Sequence, residues 1–175
     1  MAALIFIVET LLSLALFVFL LRLLLQWARA DFRNPIAQAV VKITNPIVLP
    51  LRRILPPIGK LDTASAVAVL IVATIDVAIV FALTNVFVPN PLAWARAIAF
   101  EILRTTLSAY FYAILLYAVL SLIAPGGYSP VQSLLASLCE PVLRPFRRII
   151  PPIANIDFSP LWALIAIQAL LLLLR

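Results

Sequence analysis

Residues 45–62 return in modified form as residues 140–157. Pro46, Pro50, Pro56 and Pro57 fall on Pro141, Pro145, Pro151 and Pro152, Arg52-Arg53 on Arg147-Arg148, and Asp62 on Asp157, all at an offset of 95. Proline fixes φ and removes a backbone donor, so it is sparse inside regular elements. Four prolines, an arginine pair and an aspartate kept in register therefore mark an internal duplication. A repeat sets the architecture before any local pattern does.

What surrounds the repeat is apolar. Hydrophobic residues make up 65% of the chain and charged ones 11%, with mean hydropathy +1.17. A soluble domain carries about 25% charged residues, and runs of about 20 apolar residues argue for membrane spans. The reading is an all-α membrane protein with four transmembrane helices in two parallel two-span repeats. The first repeat is 1–88, with spans at 2–25 and 64–88; the second is 93–175, with spans at 97–123 and 160–174. The N-terminal run lacks the basic leader and small-residue cleavage pattern of a signal peptide and reads as a retained span. The third span exceeds the bilayer core, which puts Arg96, Glu101 and Arg104 among headgroups, whereas the fourth is short and calls for local thinning.

Each repeat also carries a loop with structure of its own. Asn34-Pro35 and Ser129-Pro130 pair a capping side chain with a first-turn proline, which starts a helix. Ile36, Val40, Ile43 and Ile47, matched by Val131, Leu135, Leu138 and Val142, recur at helical spacing. Such a stripe suits a helix in the interface plane or one packed on the spans, and both readings stay open. The prolines at 56–57 and 151–152 favour extended geometry before them, so a stiff, mostly non-helical Pro-Arg-Arg-Pro-Pro connector is expected. Asp62 or Thr63 caps the second span; Ser159 caps the fourth, with Pro160 as its first helical residue. Residues 89–91 form a hairpin, and 124–127 break the third span.

Charge gives an orientation. Of 13 Lys and Arg residues, the side bearing the repeated loops holds Arg22, Arg29, Arg33, Lys42, Arg52, Arg53, Lys60, Arg144, Arg147 and Arg148. The other side holds Arg96, Arg104 and Arg175. The positive-inside rule puts both loops in the cytoplasm and both termini opposite. The copies then share one orientation, the parallel kind of repeat. The net charge of +6 is a matter of lipid contact and topology, with no direct nucleic-acid partner expected.

The pattern of an Asn-Pro, the Arg-Arg pair, the Pro-Pro pair and a closing Asp, placed between apolar spans and repeated, resembles the YggT family of small bacterial inner-membrane proteins. The related YlmG and plastid CCB-type proteins often carry one copy. The resemblance runs from Arg22, Gln26 and Trp27 through Asp31, Phe32, Asn34 and Pro35 and both loops to Asp157, Phe158, Ser159 and Pro160. It implies a bacterial inner-membrane location and a part in tolerance of osmotic or extracytoplasmic stress, with a link to potassium uptake. For YlmG relatives it implies roles in division and nucleoid distribution, and for plastid ones cytochrome maturation. It implies no catalytic reaction. The chain departs from its own first copy at Tyr117 and Ser121, which stand where that copy has Arg22 and Gln26, so the copies are not equivalent there.

Candidate residues follow. Arg52, Arg53, Arg147 and Arg148 present guanidinium forks suited to phosphate or carboxylate. They anchor the loops inside, bind anionic lipid, or hold a partner's acidic segment. Asp62 and Asp157 cap the following spans or pair across the copies, Asp62 with Arg147 or Arg148. Pro46, Pro50, Pro56, Pro57, Pro141, Pro145, Pro151 and Pro152 are the structural frame of the motif. Asp76, near the centre of the second span, is either part of an ion path or bonded to a neighbouring helix. Glu101 and Arg104 neutralise each other at a spacing of three. The chain has no His and one cysteine, Cys139, so metal sites, intrachain disulfides and Ser-His pairs lack material; Cys139 is expected to pack as a small hydrophobe. The leading reading is a non-enzymatic scaffold or auxiliary subunit without cofactor. A small potassium or proton transporter, assembled as a homo-oligomer because four thin spans enclose little room, is the alternative; a division factor is the third.

Overall fold

The structure, a computed structural model, describes residues 2–57, 62–123, 129–149 and 157–174. The described residues form six helices: α1 (Ala2–Trp27), α2 (Pro35–Ile54), α3 (Thr63–Leu83), α4 (Pro91–Ile123), α5 (Pro130–Ile149) and α6 (Ser159–Leu173). Among the described residues every regular element is helical. Pro151, Pro152, Lys60, Asn155, Arg175 and the break expected at 124–127 lie outside them.

α1, α3 and α4 are long and apolar enough to cross a membrane. α6 is equally apolar but has 15 residues, about 22 Å against a core of about 30 Å. Much of the apolar surface points outward: Leu4, Phe6, Ile7 and Leu11 on α1, Leu70, Ile71 and Ile75 on α3, and Leu161, Trp162 and Ile165 on α6 are exposed. Helices apolar on all sides belong in lipid.

The helix ends explain where the expected spans shift. α3 stops at Leu83 rather than continuing to Val88, because Asn85 turns left-handed at φ 54. Asn85 N–H then donates to the Ala82 carbonyl at 3.4 Å and Val86 N–H to that of Phe81 at 3.0 Å, a Schellman close. α1 ends the same way at Arg29, also at φ 54, with Ala30 N–H on the Leu25 carbonyl at 2.9 Å. Ala30 and Leu25 are both buried, the apolar contact that accompanies this motif. α4 begins at Pro91, earlier than expected, because Asn90 Oδ1 accepts the Leu92 N–H at 2.9 Å. The turn is held by Trp94, whose Nε1 donates to the Val88 carbonyl at 2.9 Å while its ring meets Phe81 edge-on.

The expected non-helical connector is corrected. α2 runs through Pro46, Pro50 and both arginines to Ile54, and α5 through Pro141, Pro145 and its arginines to Ile149. The prolines are four apart, so their missing donors stack on one side of the helix, and only the carbonyls four residues earlier, Lys42 and Pro46 in α2, lose a ladder partner. The opposite side stays anchored by buried Ala37, Val40, Thr44 and Val48. Irregular chain starts only at Leu55, before Pro56-Pro57. Both α2 and α5 start at their expected prolines, with Asn34 Oδ1 accepting from Ile36 N–H at 2.9 Å and Ser129 Oγ from Gln132 N–H at 3.3 Å.

The chain divides into two compact units, Met1–Leu23 with Val40–Thr106, and Leu24–Ala39 with Leu107–Arg175. In the first, Leu16, Phe19 and Leu20 pack with Val48 and with Ala64, Ala68, Val69, Val72 and Ala73. Alanine supplies the small residues that let helices approach closely, in a chain with only three glycines. In the second, α5 packs on α6, and Leu134, Leu138, Cys139, Leu143, Ala163 and Ile167 are buried. The α2 stripe splits. Val40 is buried, whereas Ile43 and Ile47 remain exposed, so α2 packs on one edge and keeps a second apolar edge outward.

Candidate functional site

Consecutive helical residues point about 100° apart, so the two arginines of a pair cannot share a task. In the first unit Arg52, in the last turn of α2, donates through Nη2 to Asp62 Oδ2. Ser65 Oγ donates to the same oxygen at 2.7 Å. Asp62 occupies the N-cap position of α3, yet its side chain makes no capping bond; it is 2% exposed and serves as the inner half of a clasp. The ion pair thus forms within a copy, where pairing of Asp62 with Arg147 or Arg148 was the alternative. Burial pushes the Asp62 carboxyl up, but bonds from Arg52 and Ser65 outweigh it and hold it below the ordinary carboxylate range. Thr63 Oγ donates to the Pro56 carbonyl at 2.8 Å, which ties the residue before the second proline to the start of α3.

A second link lies beside the clasp. Arg22 of α1 is 4% exposed. Its Nη1 donates to Thr44 Oγ1 at 2.6 Å and Asn45 Oδ1 at 3.1 Å. Thr44 passes its own proton to the Val40 carbonyl at 2.7 Å. Rather than snorkelling to the interface, as its place near the span end suggests, Arg22 is buried against α2.

The second unit repeats the clasp with different neighbours. Arg147 Nε donates to Asp157 Oδ2 at 2.8 Å, Nη1 to Glu140 Oε2 at 2.6 Å and Nη2 to Tyr117 OH at 3.4 Å. Asp157 Oδ1 accepts the Ser159 N–H at 2.9 Å. Ser159 is therefore the first residue of α6 rather than its cap, and Pro160 the second. Burial raises the Asp157 carboxyl, and the bonds from Ser159 and Arg147 more than reverse this. Tyr117 and Glu140 stand where the first copy has Arg22 and Asn45. One cation is gone and one anion added. The first cluster carries Arg22, Arg52 and Asp62, the second Arg147, Asp157 and Glu140, so their charge balances have opposite sign. Cys139, which stands where the first copy has Thr44, is fully buried, and burial pushes its thiol up to about 12; it packs as an inert small side chain.

Arg53 and Arg148, the second arginine of each pair, are exposed and have no acidic partner among the described residues. Asp76 is 3% exposed, and its Oδ2 has no hydrogen-bond partner among the described residues. It continues the small-residue stripe Ala64, Ala68 and Val72 at a spacing of four, which turns it into the helix packing rather than towards lipid. Glu101 accepts from Thr105 Oγ1 at 3.3 Å, and among the described residues no ion pair joins it to Arg104. Among the same residues no group of His, Cys, Asp and Glu could hold a metal ion.

The CCB3/YggT family model matches residues 1–83 and 96–175. The chain belongs to the CCB3/YggT family. Its relatives include an uncharacterized protein of Pseudomonas aeruginosa, 36% identical over 170 residues that cover 95% of this chain and 85% of the relative. The uncharacterized YggT of Escherichia coli K12 is 37% identical over 161 residues, 92% of this chain and 83% of that one. An uncharacterized protein of Vibrio alginolyticus is 34% identical over 164 residues, 93% and 88% of the two chains. No solved structure matches the chain.

Proposed function

We propose that this CCB3/YggT protein is a non-enzymatic, four-span protein of the bacterial inner membrane. It acts as a scaffold or auxiliary subunit in tolerance of osmotic or extracytoplasmic stress. Its basic loops face the cytoplasm, and its exposed arginines engage anionic lipid or an acidic partner segment. The observation that supports this is the division of labour within each pair. Arg52 and Arg147 are held by carboxylates, whereas Arg53 and Arg148 stay outward on a rigid helix end. The helix fixes the backbone that presents these donors, so binding has only their side chains left to order. Crosslinking in the membrane from a photoreactive group at Leu55 tests it: discrete partner adducts are expected, and their absence at both normal and high osmolarity overturns it.

Transport is a second reading, favoured by the Asp76 oxygen without a partner. A carboxylate in a span marks an ion pathway by default. Cation flux by the purified protein in proteoliposomes, abolished by Asp76→Asn, would replace the scaffold reading; no flux from either form would remove transport.

A further inference from the structure

The face of α2 turned away from its buried stripe carries an open cleft of about 490 Å³, lined by Lys42, Asn45, Pro46, Leu49, Pro50 and Arg53. These residues follow at spacings of three and four along a single helix face. The cleft falls on the side where Pro46 and Pro50 leave the carbonyls of Lys42 and Pro46 without a ladder donor. Asn45 turns its Oδ1 to Arg22 at 3.1 Å, which leaves its amide nitrogen as a donor. Lys42 and Arg53 stand at the two ends, exposed and without an acidic partner among the described residues. The exposed apolar side chains Ile43, Ile47 and Ile54 border it, as a surface meeting acyl chains requires.

Dimensions select the occupant. Lys42 and Arg53 are 11 residues apart in the sequence, about 16 Å along the helix. Two phosphates on a three-carbon linker lie closer together than these backbone sites, so the long Lys42 and Arg53 side chains reach inward along the helix to take one each. A hydroxyl on that linker would meet the free carbonyls between them. We propose that this cleft holds the headgroup of a diphosphatidylglycerol-type lipid, one phosphate at Lys42 and the other at Arg53. This rests on the reading that the outward basic residues engage the membrane, and it names the lipid. The second copy is a built-in control. Its corresponding face carries Ser137 in place of Lys42, Glu140 in place of Asn45 and Arg144 in place of Leu49, so its two cations, Arg144 and Arg148, stand four residues apart rather than 11 and present a different phosphate spacing.

The test uses the full chain in nanodiscs of phosphatidylcholine containing a photoactivatable diphosphatidylglycerol, with the labelled peptides mapped by mass spectrometry. Labelling is expected within residues 42–53. Lys42→Ser with Arg53→Gln should lower it by roughly tenfold or more, since each cation at a membrane surface contributes about fivefold. Arg144→Gln with Arg148→Gln should leave it within about twofold of wild type. Phosphatidylglycerol at matched charge should compete several-fold less well. Equal competition by phosphatidylglycerol, equal competition by soluble glycerophosphate, or labelling insensitive to the Lys42/Arg53 change each overturns the proposal. All the substituted side chains are exposed, the bond between Arg22 and Asn45 is left intact, and unchanged helicity and elution volume verify folding. Partner adducts from Leu55 that persist when lipid labelling fails would sink the lipid assignment alone and leave the scaffold reading standing.

Discussion

Arg52 and Arg147 occupy equivalent places in the sequence but not equivalent environments. The carboxylate held by Arg52 is nearly buried, with 3% of its side chain exposed, whereas Asp157 and Glu140 around Arg147 are 37% and 52% exposed. Removing one member of a buried pair leaves an uncompensated charge and costs about 3 kcal/mol; solvent-exposed pairs contribute about 0–1 kcal/mol. The Arg52 side chain is itself 44% exposed, which discounts the buried-pair value, so Arg52→Ala should lower the unfolding free energy in detergent by about 2 kcal/mol, and Arg147→Ala by about 1 kcal/mol or less. Equal losses would contradict the asymmetry. Acid should act through the same groups. Asp62 and Asp157 titrate below their ordinary values, so their stabilisation is present above about pH 4 and is lost as pH falls through the lowered folded-state values. Asp62→Asn should flatten the acid limb of a stability-against-pH curve more than Asp157→Asn.

At the scale of the element, the sequence foretells the starts of α2 and α5 but misjudges the start of α4 and the ends of α2, α3 and α5. Asn34-Pro35 and Ser129-Pro130 carry their whole signal locally, a capping side chain and a first-turn proline, and α2 and α5 begin there. Pro50 reads as the opening of a connector, because a proline alone does not reveal that a partner four residues away confines the damage to one outward side. The stop at Asn85 rests on a left-handed residue, which a polar side chain tolerates and an apolar run conceals. The arginine clasp had a readable spacing, with Arg and Asp ten residues apart in both copies. Its pairing within a copy depends on α2 continuing to Ile54, and so could not be read until the helix end was known. Arg29 adopts φ 54 without being glycine. Arg29→Gly should thus raise the thermal midpoint, by an amount equivalent to about 1 kcal/mol, and a fall would show that the side chain has another role. Pro46→Ala with Pro50→Ala should restore two ladder bonds and raise stability by about 1 kcal/mol or more, while closing the cleft and reducing diphosphatidylglycerol labelling.

For the whole molecule, orientation decides the rest. Cys139 is the single cysteine and is fully buried, so new cysteines can be read against a quiet background. Cysteines placed at Lys60 and Asn155 should both react with a membrane-impermeant maleimide from the cytoplasmic side, and neither from outside. Labelling from opposite sides would end the parallel two-copy arrangement and the proposed docking surface together. The duplicated motif and the apolar helices are legible because repetition and hydropathy are properties of the entire chain. The buried Arg22 was not, since a cation near the end of an apolar run looks like a boundary marker until its acceptors on α2 are seen.

Arg22 also constrains how the molecule is assembled. A guanidinium within a span costs about 2.5–3.5 kcal/mol near the bilayer centre and less towards its edge, and here the acceptors that relieve it belong to Thr44 and Asn45 of α2. During synthesis α1 emerges before those acceptors exist, so it must wait at the insertion machinery or at the bilayer surface until some twenty further residues have been made. The first hairpin of this protein should therefore enter the membrane as one piece, while the segment that carries Tyr117 in the same place is free to enter alone.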